Sequence, residues 1–338
     1  MQIALCILAK DESGKIGKLL AQLLKQSLVL EDARKVTAYV VANGCSDDTA
    51  GVARSFFEQF RQRGVSLQVE DLRQGGKSRT WNRAVHELID QRTDVIVFTD
   101  ADIQFVDNLV LAEMVDRVTS NSDLMVAAGY PVKDIVQRSR STMLDRISLR
   151  ISSETRHTDA VSGQLYAAKA DCLREIWLPD ETPGEDGFLN AMVNTNGFTR
   201  PHQAGRVRGH TRPTHFYEAL GPASFIKHEK RLIVGTMINI WIFEYLISLK
   251  LKEPAGPLIR DWNASRPGWV EEIVASSTAG KRWVIRSELL KRRLMLSDRK
   301  ALSDLRSVAL AIVATFLTVP PAVMANQRLK RTGSASSW

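Results

Sequence analysis

Cysteine is scarce and dispersed. The 338 residues hold three, Cys6, Cys45 and Cys172, which is neither a disulfide framework nor a zinc pattern. Cys6 lies in an apolar run, so a buried thiol in a reducing compartment, the cytoplasm, is expected. No internal repeat is present, and the low-complexity portion is confined to a Gly-Ser-Ala-Ser-Ser tail, so the expected disorder is limited to 332–338. A secretory leader is not expected from the opening residues. Met1 runs straight into Ile3-Ala4-Leu5-Cys6-Ile7-Leu8 without a basic n-region, and Lys10 and Asp11 close the run, which reads as a buried first strand. Acid is in deficit, leaving a formal net charge of +8. That balance suits anionic partners: nucleotides, lipid phosphates, acidic glycans or nucleic acid. With 44% hydrophobic and 25% charged residues the composition is that of a globular protein and excludes intrinsic disorder.

From Gln2 to about Asp102, short apolar runs alternate with amphipathic stretches. Strands are expected over Ile3–Ala9, Val36–Val41, Ser66–Glu70 and Asp94–Phe98, and helices over Ile16–Gln26, Thr49–Arg63 and Arg79–Ile89. This alternation predicts an α/β fold, with a parallel sheet covered by helices on both faces. Ligands of such sheets bind beyond the carboxyl ends of the strands, so the loops after Ala9, Val41 and Phe98 should line one crevice.

Four short segments carry chemistry. Asp100-Ala101-Asp102 follows an apolar strand, and two carboxylates at that spacing can share a hard divalent cation; the bland reading is a solvated turn with a helix cap. Asn43-Gly44-Cys45-Ser46-Asp47-Asp48-Thr49 reads as a turn and helix cap, with Asn43 also placed to meet a nucleobase edge. Gly75-Gly76-Lys77-Ser78 lets backbone and an ammonium approach a diphosphate, although its spacing is not that of a Walker A loop. Pro183-Gly184-Glu185-Asp186 offers paired carboxylates for general-base work, or simply an acidic helix start.

In order and spacing these segments resemble glycosyltransferase family 2, over roughly residues 1 to 235. Ile7-Leu8-Ala9-Lys10-Asp11-Glu12 is similar to that family's first strand, Asp100-Ala101-Asp102 to its DXD motif, Ser162-Gly163-Gln164-Leu165-Tyr166 to its acceptor-side glycine strand, and Gly184-Glu185-Asp186 to its Glu-Asp motif. The resemblance implies a GT-A, Rossmann-like, mostly parallel mixed sheet. It implies an inverting enzyme that moves a sugar from a nucleotide diphosphate donor, UDP-sugar by default, to an acceptor hydroxyl, with Mn²⁺ or Mg²⁺ as cofactor. It further implies donor binding by Ala9, Asp11, Glu12, Asn43, Lys77, Asp100 and Arg231. Metal would be held by Asp102 and Asp100, with His210 or His215 as candidates for a further ligand. Asp186 would be the base, supported by Glu185. Departures are Ala42, where the family carries an Asp for the base, Lys10-Asp11 in place of Tyr-Asn, and His228-Glu229-Lys230-Arg231-Leu232, where processive relatives carry Gln-x-x-Arg-Trp and only Arg231 matches.

The expected organisation is a catalytic domain over 1–230, with a nucleotide-sugar half to about 103 and an acceptor half from 104, then a helical region over 231–331. Leu232–Leu249 and Val308–Met324 approach the ~20 apolar residues of a membrane span. Between Lys281 and Arg331, twelve Lys or Arg face three Asp or Glu. Basic flanks on both sides of Val308–Met324 fit an interfacial segment at the cytoplasmic face of a membrane, and a lipid-linked acceptor, better than a single span. The alternative is buried helices packed on the catalytic domain or on a second subunit. Two rival functions remain. A nucleotidyltransferase needs a glycine-rich loop after the first strand, and Lys10-Asp11-Glu12-Ser13 stands there instead. An inactive GT-A-like scaffold binding nucleotide, lipid headgroup or nucleic acid fits the missing acid at Ala42, but not the retention of Asp100, Asp102 and Asp186.

Overall fold

A computed structural model describes residues 1–30, 35–137, 159–219, 221–294 and 305–332. The expected tail from 333 onward, and residues 138–158, lie outside the described residues.

Strand and helix alternate through the first half. β1 (Gln2–Ala9), β2 (Lys35–Asn43), β3 (Ser66–Leu72) and β4 (Val95–Asp100) run parallel. Between them lie α1 (Ile16–Leu23), α2 (Ser27–Leu30), α3 (Thr49–Arg54), α4 (Phe57–Gln62) and α5 (Lys77–Arg83). The single helix expected over Thr49–Arg63 is broken at Ser55-Phe56, where Ser55 Oγ bonds back to Val52 O at 2.6 Å. Such local bonding competes with helix continuation. The helix expected from Arg79 starts earlier, at Lys77 behind Gly76, and passes into a π-helical turn over Ala84–Leu88.

Further along come β5 (Gln104–Phe105), α6 (Val110–Thr119), β6 (Val126–Ala128), β7 (Pro131–Lys133), β8 (Leu165–Lys169), α7 (Ala170–Arg174), α8 (Glu185–Thr195), β9 (Val207–Gly209) and β10 (His215–Tyr217). The helices α9 (Pro222–Ser248), α10 (Gly256–Ser265), α11 (Trp269–Thr278), α12 (Ser287–Leu294) and α13 (Leu305–Thr332) complete the described chain. The main sheet has the order β3-β2-β1-β4-β8-β6-β9, with β8 antiparallel to both neighbours, and a small sheet has the order β5-β10-β7. This is the expected mixed, mostly parallel GT-A-like arrangement with a helical C-terminal region.

From Ile3 to Ala9, β1 is apolar because both its faces are covered. Ile3, Leu5 and Ile7 belong to one core with Leu19, Leu20, Met114 and Val115; Ala4, Cys6 and Leu8 belong to the other. That second core joins Trp81, Phe98 and Tyr166 to Phe188, Ile233, Met237, Ile242, Val274, Ala325 and Leu329. The C-terminal helices therefore share a core with the sheet, and the boundary expected after 230 falls inside α9. Among the described residues one helix, Ser224–Ser248, is long and apolar enough by length and composition to cross a membrane, and half of its apolar window is buried in the protein. Chain order reverses between β1 and β4, so the tips of β1, β2 and β4 border the crevice where such sheets bind ligands.

Candidate active site

The first two strand tips are stitched to each other. Ala9 is buried, and its carbonyl accepts from Cys45 Sγ at 3.4 Å. Asp11, at φ +54°, accepts from Ser46 N at 2.6 Å and Ser46 Oγ at 3.0 Å, and these bonds hold its carboxyl below the usual range. Asp47 accepts from the Thr49 hydroxyl and N–H and from Ser13 N at 3.0 Å, and these bonds, the Thr49 hydroxyl foremost, bring its pKa to about 2. Asp11, Cys45 and Asp47 come close enough to share an ion, yet their acceptors already serve these loops. Asn43 closes β2. It is buried, and its side-chain oxygen accepts from Gly76 N at 2.8 Å and Thr80 Oγ1 at 2.7 Å. A buried amide oxygen must be satisfied, and here it fastens the Gly-Lys loop to β2.

Opposite those tips, α5 and the first turn of α8 bring the charges together. Gly76, at φ +137°, turns the chain so that Lys77 opens α5. Its ammonium lies 2.9 Å from Asp100 Oδ1 and 3.0 Å from Glu185 Oε1, and donates to Gly163 O at 3.3 Å. Burial disfavours that charge, but the two carboxylates outweigh it and the Lys77 pKa rises. Burial raises Asp100, against the pull of Lys77. Asp186 is pushed up to about 6, first by burial and then by the charge of Glu185, while Lys77 and the exposed Arg231 on α9 act the other way. Gly163 packs against this carboxylate: a Cβ there would stand 3.3 Å from Asp186 Cβ and 3.4 Å from its Oδ2.

Underneath lies an aromatic floor. Trp81 and Phe98 stack at 5.9 Å, Phe98 and Tyr166 at 5.2 Å, and Trp81 Nε1 donates to the buried Tyr166 hydroxyl at 2.6 Å. The Glu-Asp segment is anchored from both sides. Ser78 Oγ donates to Thr182 O at 3.1 Å, and Asn82 bonds Leu178 through both its amide atoms, at 2.8 and 2.9 Å. From α9, Asn239 donates to Gly184 O at 2.7 Å and accepts from Thr182 Oγ1 at 3.0 Å. Asn239 and Trp81 lay outside the motif reading, and nothing local to their sequence marks them.

At the mouth, Glu12 is raised by burial and then by the charge of Asp102, with Lys15 opposing and Asp100 adding to the rise. Lys15 pairs with Glu12 at 3.8 Å and with Glu218 at 3.0 Å. Glu12, Asp100 and Asp102 thus lie near enough to act on one another as like charges. The histidines part company. His215 is buried, with Nδ1 hydrogen-bonded to Thr214 Oγ1 at 2.9 Å and Nε2 to Gln164 Oε1 at 3.3 Å; Gln164 O in turn accepts from Asp100 N at 2.9 Å. Burial drops its pKa to about 3. It therefore braces the backbone of the Asp100 turn with both ring nitrogens engaged. His210 faces α6 instead, 3.4 Å from Glu113 and bonded to Arg212.

A mannosyltransferase from Pyrobaculum calidifontis, solved with GDP-Man and Mn²⁺, matches with a TM-score of 0.51 at 17% identity, covering 94% of this chain and 86% of that one. The glucosyl-3-phosphoglycerate synthase of Mycobacterium tuberculosis, solved with Mn²⁺, UDP and glucosyl-3-phosphoglycerate, matches at 0.49 and 14% identity, covering 70% of this chain and 79% of that one. S. aureus TarS matches at 0.46 and 14% identity, covering 98% and 55%. No curated protein sequence matches the chain. The sequence profile described as "Glycosyltransferase like family 2" matches residues 2–222, well over half of the chain. The chain therefore belongs to glycosyltransferase-like family 2, and is a glycosyltransferase built on the GT-A fold.

Proposed function

We propose that this protein transfers a glycosyl group from a nucleoside diphosphate sugar to an acceptor hydroxyl, inverting the anomeric carbon, with Asp186 as general base. The observation that carries the reading is the Lys77 ammonium held between Asp100 and Glu185, beside an Asp186 raised to about 6 at the sheet's switch point. A base of that strength is ionised near neutrality and still accepts a proton readily. The acceptor oxygen forms its bond to the anomeric carbon from the face opposite the diphosphate. The bond from that carbon to the diphosphate oxygen breaks, its electron pair leaves with the diphosphate, and the acceptor proton passes to Asp186.

Glu185 keeps Asp186 basic through its charge and pairs with Lys77. Lys77 and Arg231 supply positive charge on the diphosphate side. Asp102 and Asp100, with Glu12 beside them, fit Mn²⁺ or Mg²⁺, the ion class found with the donor in the mannosyltransferase. When bound, such an ion neutralises charge developing on the diphosphate. UDP is the default donor base; Ala42, buried at the tip of β2, offers no side-chain hydrogen bond to select one. The acceptor belongs to a glycan, polysaccharide or glycolipid, lipid-linked at the cytoplasmic face of a membrane in keeping with the basic C-terminal region.

Isothermal titration of UDP, GDP and CDP, with and without Mn²⁺, on wild type and Asp102→Ala tests it. Metal-dependent binding of one diphosphate, lost in the variant, is expected and names the base. No binding of any diphosphate with metal present overturns the nucleoside diphosphate donor proposed here.

A further inference from the structure

The outward face of α13 is apolar and then basic. Thr318, Pro321, Ala322, Ala325, Asn326 and Leu329 are buried, whereas Val319, Val323 and Met324 are 47%, 38% and 42% exposed, and Pro320 is exposed with them. At 3.6 residues per turn these exposed positions fall opposite Ala325. One turn further on, the same side presents Gln327, Lys330 and Arg331, all exposed. Upstream, residues 308–317 carry no charge.

Trp283 borders this face. Asn326 accepts from Val284 N at 2.8 Å and donates to Arg282 O at 3.3 Å, clamping the backbone on either side of Trp283 to α13. Asn326 stands three residues after Val323 and four before Lys330, on the adjoining flank of the helix. The indole is 45% exposed, and its Nε1 donates to Ile285 O at 2.8 Å, which fixes its orientation. Lys281, Arg282 and Arg286 are exposed around it; the acids nearby are Glu244, paired with Arg286, and Glu288.

We propose that the outer face of α13 over Val319–Met324, with Trp283 and the cations Lys281, Arg282, Lys330 and Arg331, docks on an anionic lipid bilayer, lying in the interface plane. Apolar side chains enter the headgroup–acyl boundary, the indole sits at headgroup level, and the cations meet lipid phosphates. Charge argues against a second copy as occupant. A two-fold contact brings the same patch against itself and would set these cations against one another. The surface joins the site through α9, which packs along α13 and carries Arg231 past Asp186. The inference is independent of the donor chemistry.

Flotation of the full-length protein with phosphatidylcholine vesicles, with and without phosphatidylglycerol, tests it. Wild type should float with the anionic vesicles, less so as salt rises, and Trp283 fluorescence should shift to the blue, a change lost in Trp283→Phe. Val323→Glu with Met324→Glu should abolish flotation; Lys330→Glu with Arg331→Glu should weaken it at least roughly fivefold for each cation replaced. The altered side chains are exposed, so unchanged thermal melts confirm that these variants fold. Equal flotation of all variants, or none by wild type, overturns the proposal. So does a dimer in sedimentation velocity that the Val323→Glu, Met324→Glu variant loses without any wild-type flotation, which would assign the face to a second copy.

Discussion

Asp186 and Lys77 set the electrostatics of the site from opposite directions. Because Asp186 is raised to about 6 and acts as its ionised form, kcat/KM should rise with pH through about 6 and then level. Lys77→Met removes a cation that favours the carboxylate, so the rising limb should move to higher pH; a limb that stays in place in the pH–rate profile would refute the coupling. Asp186→Asn should cost ~10²–10⁴-fold in kcat, with diphosphate affinity by titration unchanged. Gly163 makes a narrower case. Gly163→Ala sets a methyl 3.3 Å from Asp186 Cβ, close enough that one of the two must give by a few tenths of an ångström, so kcat should fall while the melting temperature holds; unchanged turnover would show that the loop gives way. Residue identities at this scale were legible in the sequence, since acid pairs and a Gly-Lys loop are local patterns. The uses of Asn43 and Asp11 were not. Each side chain is satisfied by a distant partner, Gly76 for Asn43 and Ser46 for Asp11, and no spacing along the chain reveals whether a polar group faces a ligand or a neighbouring loop.

Two helices hold the Glu-Asp segment in place, α5 through Ser78 and Asn82, and α9 through Asn239. The crossing of α9 over the start of α8 depends on a pair of glycines: a Cβ on Gly235 would stand 3.2 Å from Gly184 Cα, and one on Gly184 would stand 2.8 Å from Asn239 Nδ2. Gly235→Val should therefore push the helices apart, costing ~1–3 kcal/mol as overpacking does, and loosen Glu185 and Asp186 with them. Urea unfolding combined with turnover checks this; full stability together with full activity would contradict the crossing. The apolar run Leu232–Leu249 was legible as a helix. Its role was not, because a helix buried in a core and one buried in lipid share the same composition. The helix also begins at Pro222, well before the apolar run, since Pro suits a first turn.

For the molecule as a whole, the core that joins the sheet to α9, α11 and α13 predicts that the C-terminal region is no removable appendage. A chain ending at 304 loses Ala322, Ala325 and Leu329 from that core. Its stability should fall by more than the ~2–5 kcal/mol of a single large-to-small core substitution, seen as a lower melting temperature and new dye binding to exposed apolar surface. An unchanged melt would show that the region folds apart from the sheet. The amino-acid sequence by itself determined the four parallel strands β1–β4, the helices α1 and α5, the helical character of the C-terminal region, the switch-point crevice and the chemical types gathered there, because apolar periodicity, turn residues and motif spacing are local properties of the chain. Only the tertiary structure decided that Lys77 lies between Asp100 and Glu185, that His215 braces the Asp100 turn while His210 faces α6, and that α13 turns an apolar face outward. Those facts depend on groups far apart in sequence meeting under one close-packed core, and on which faces that core leaves uncovered.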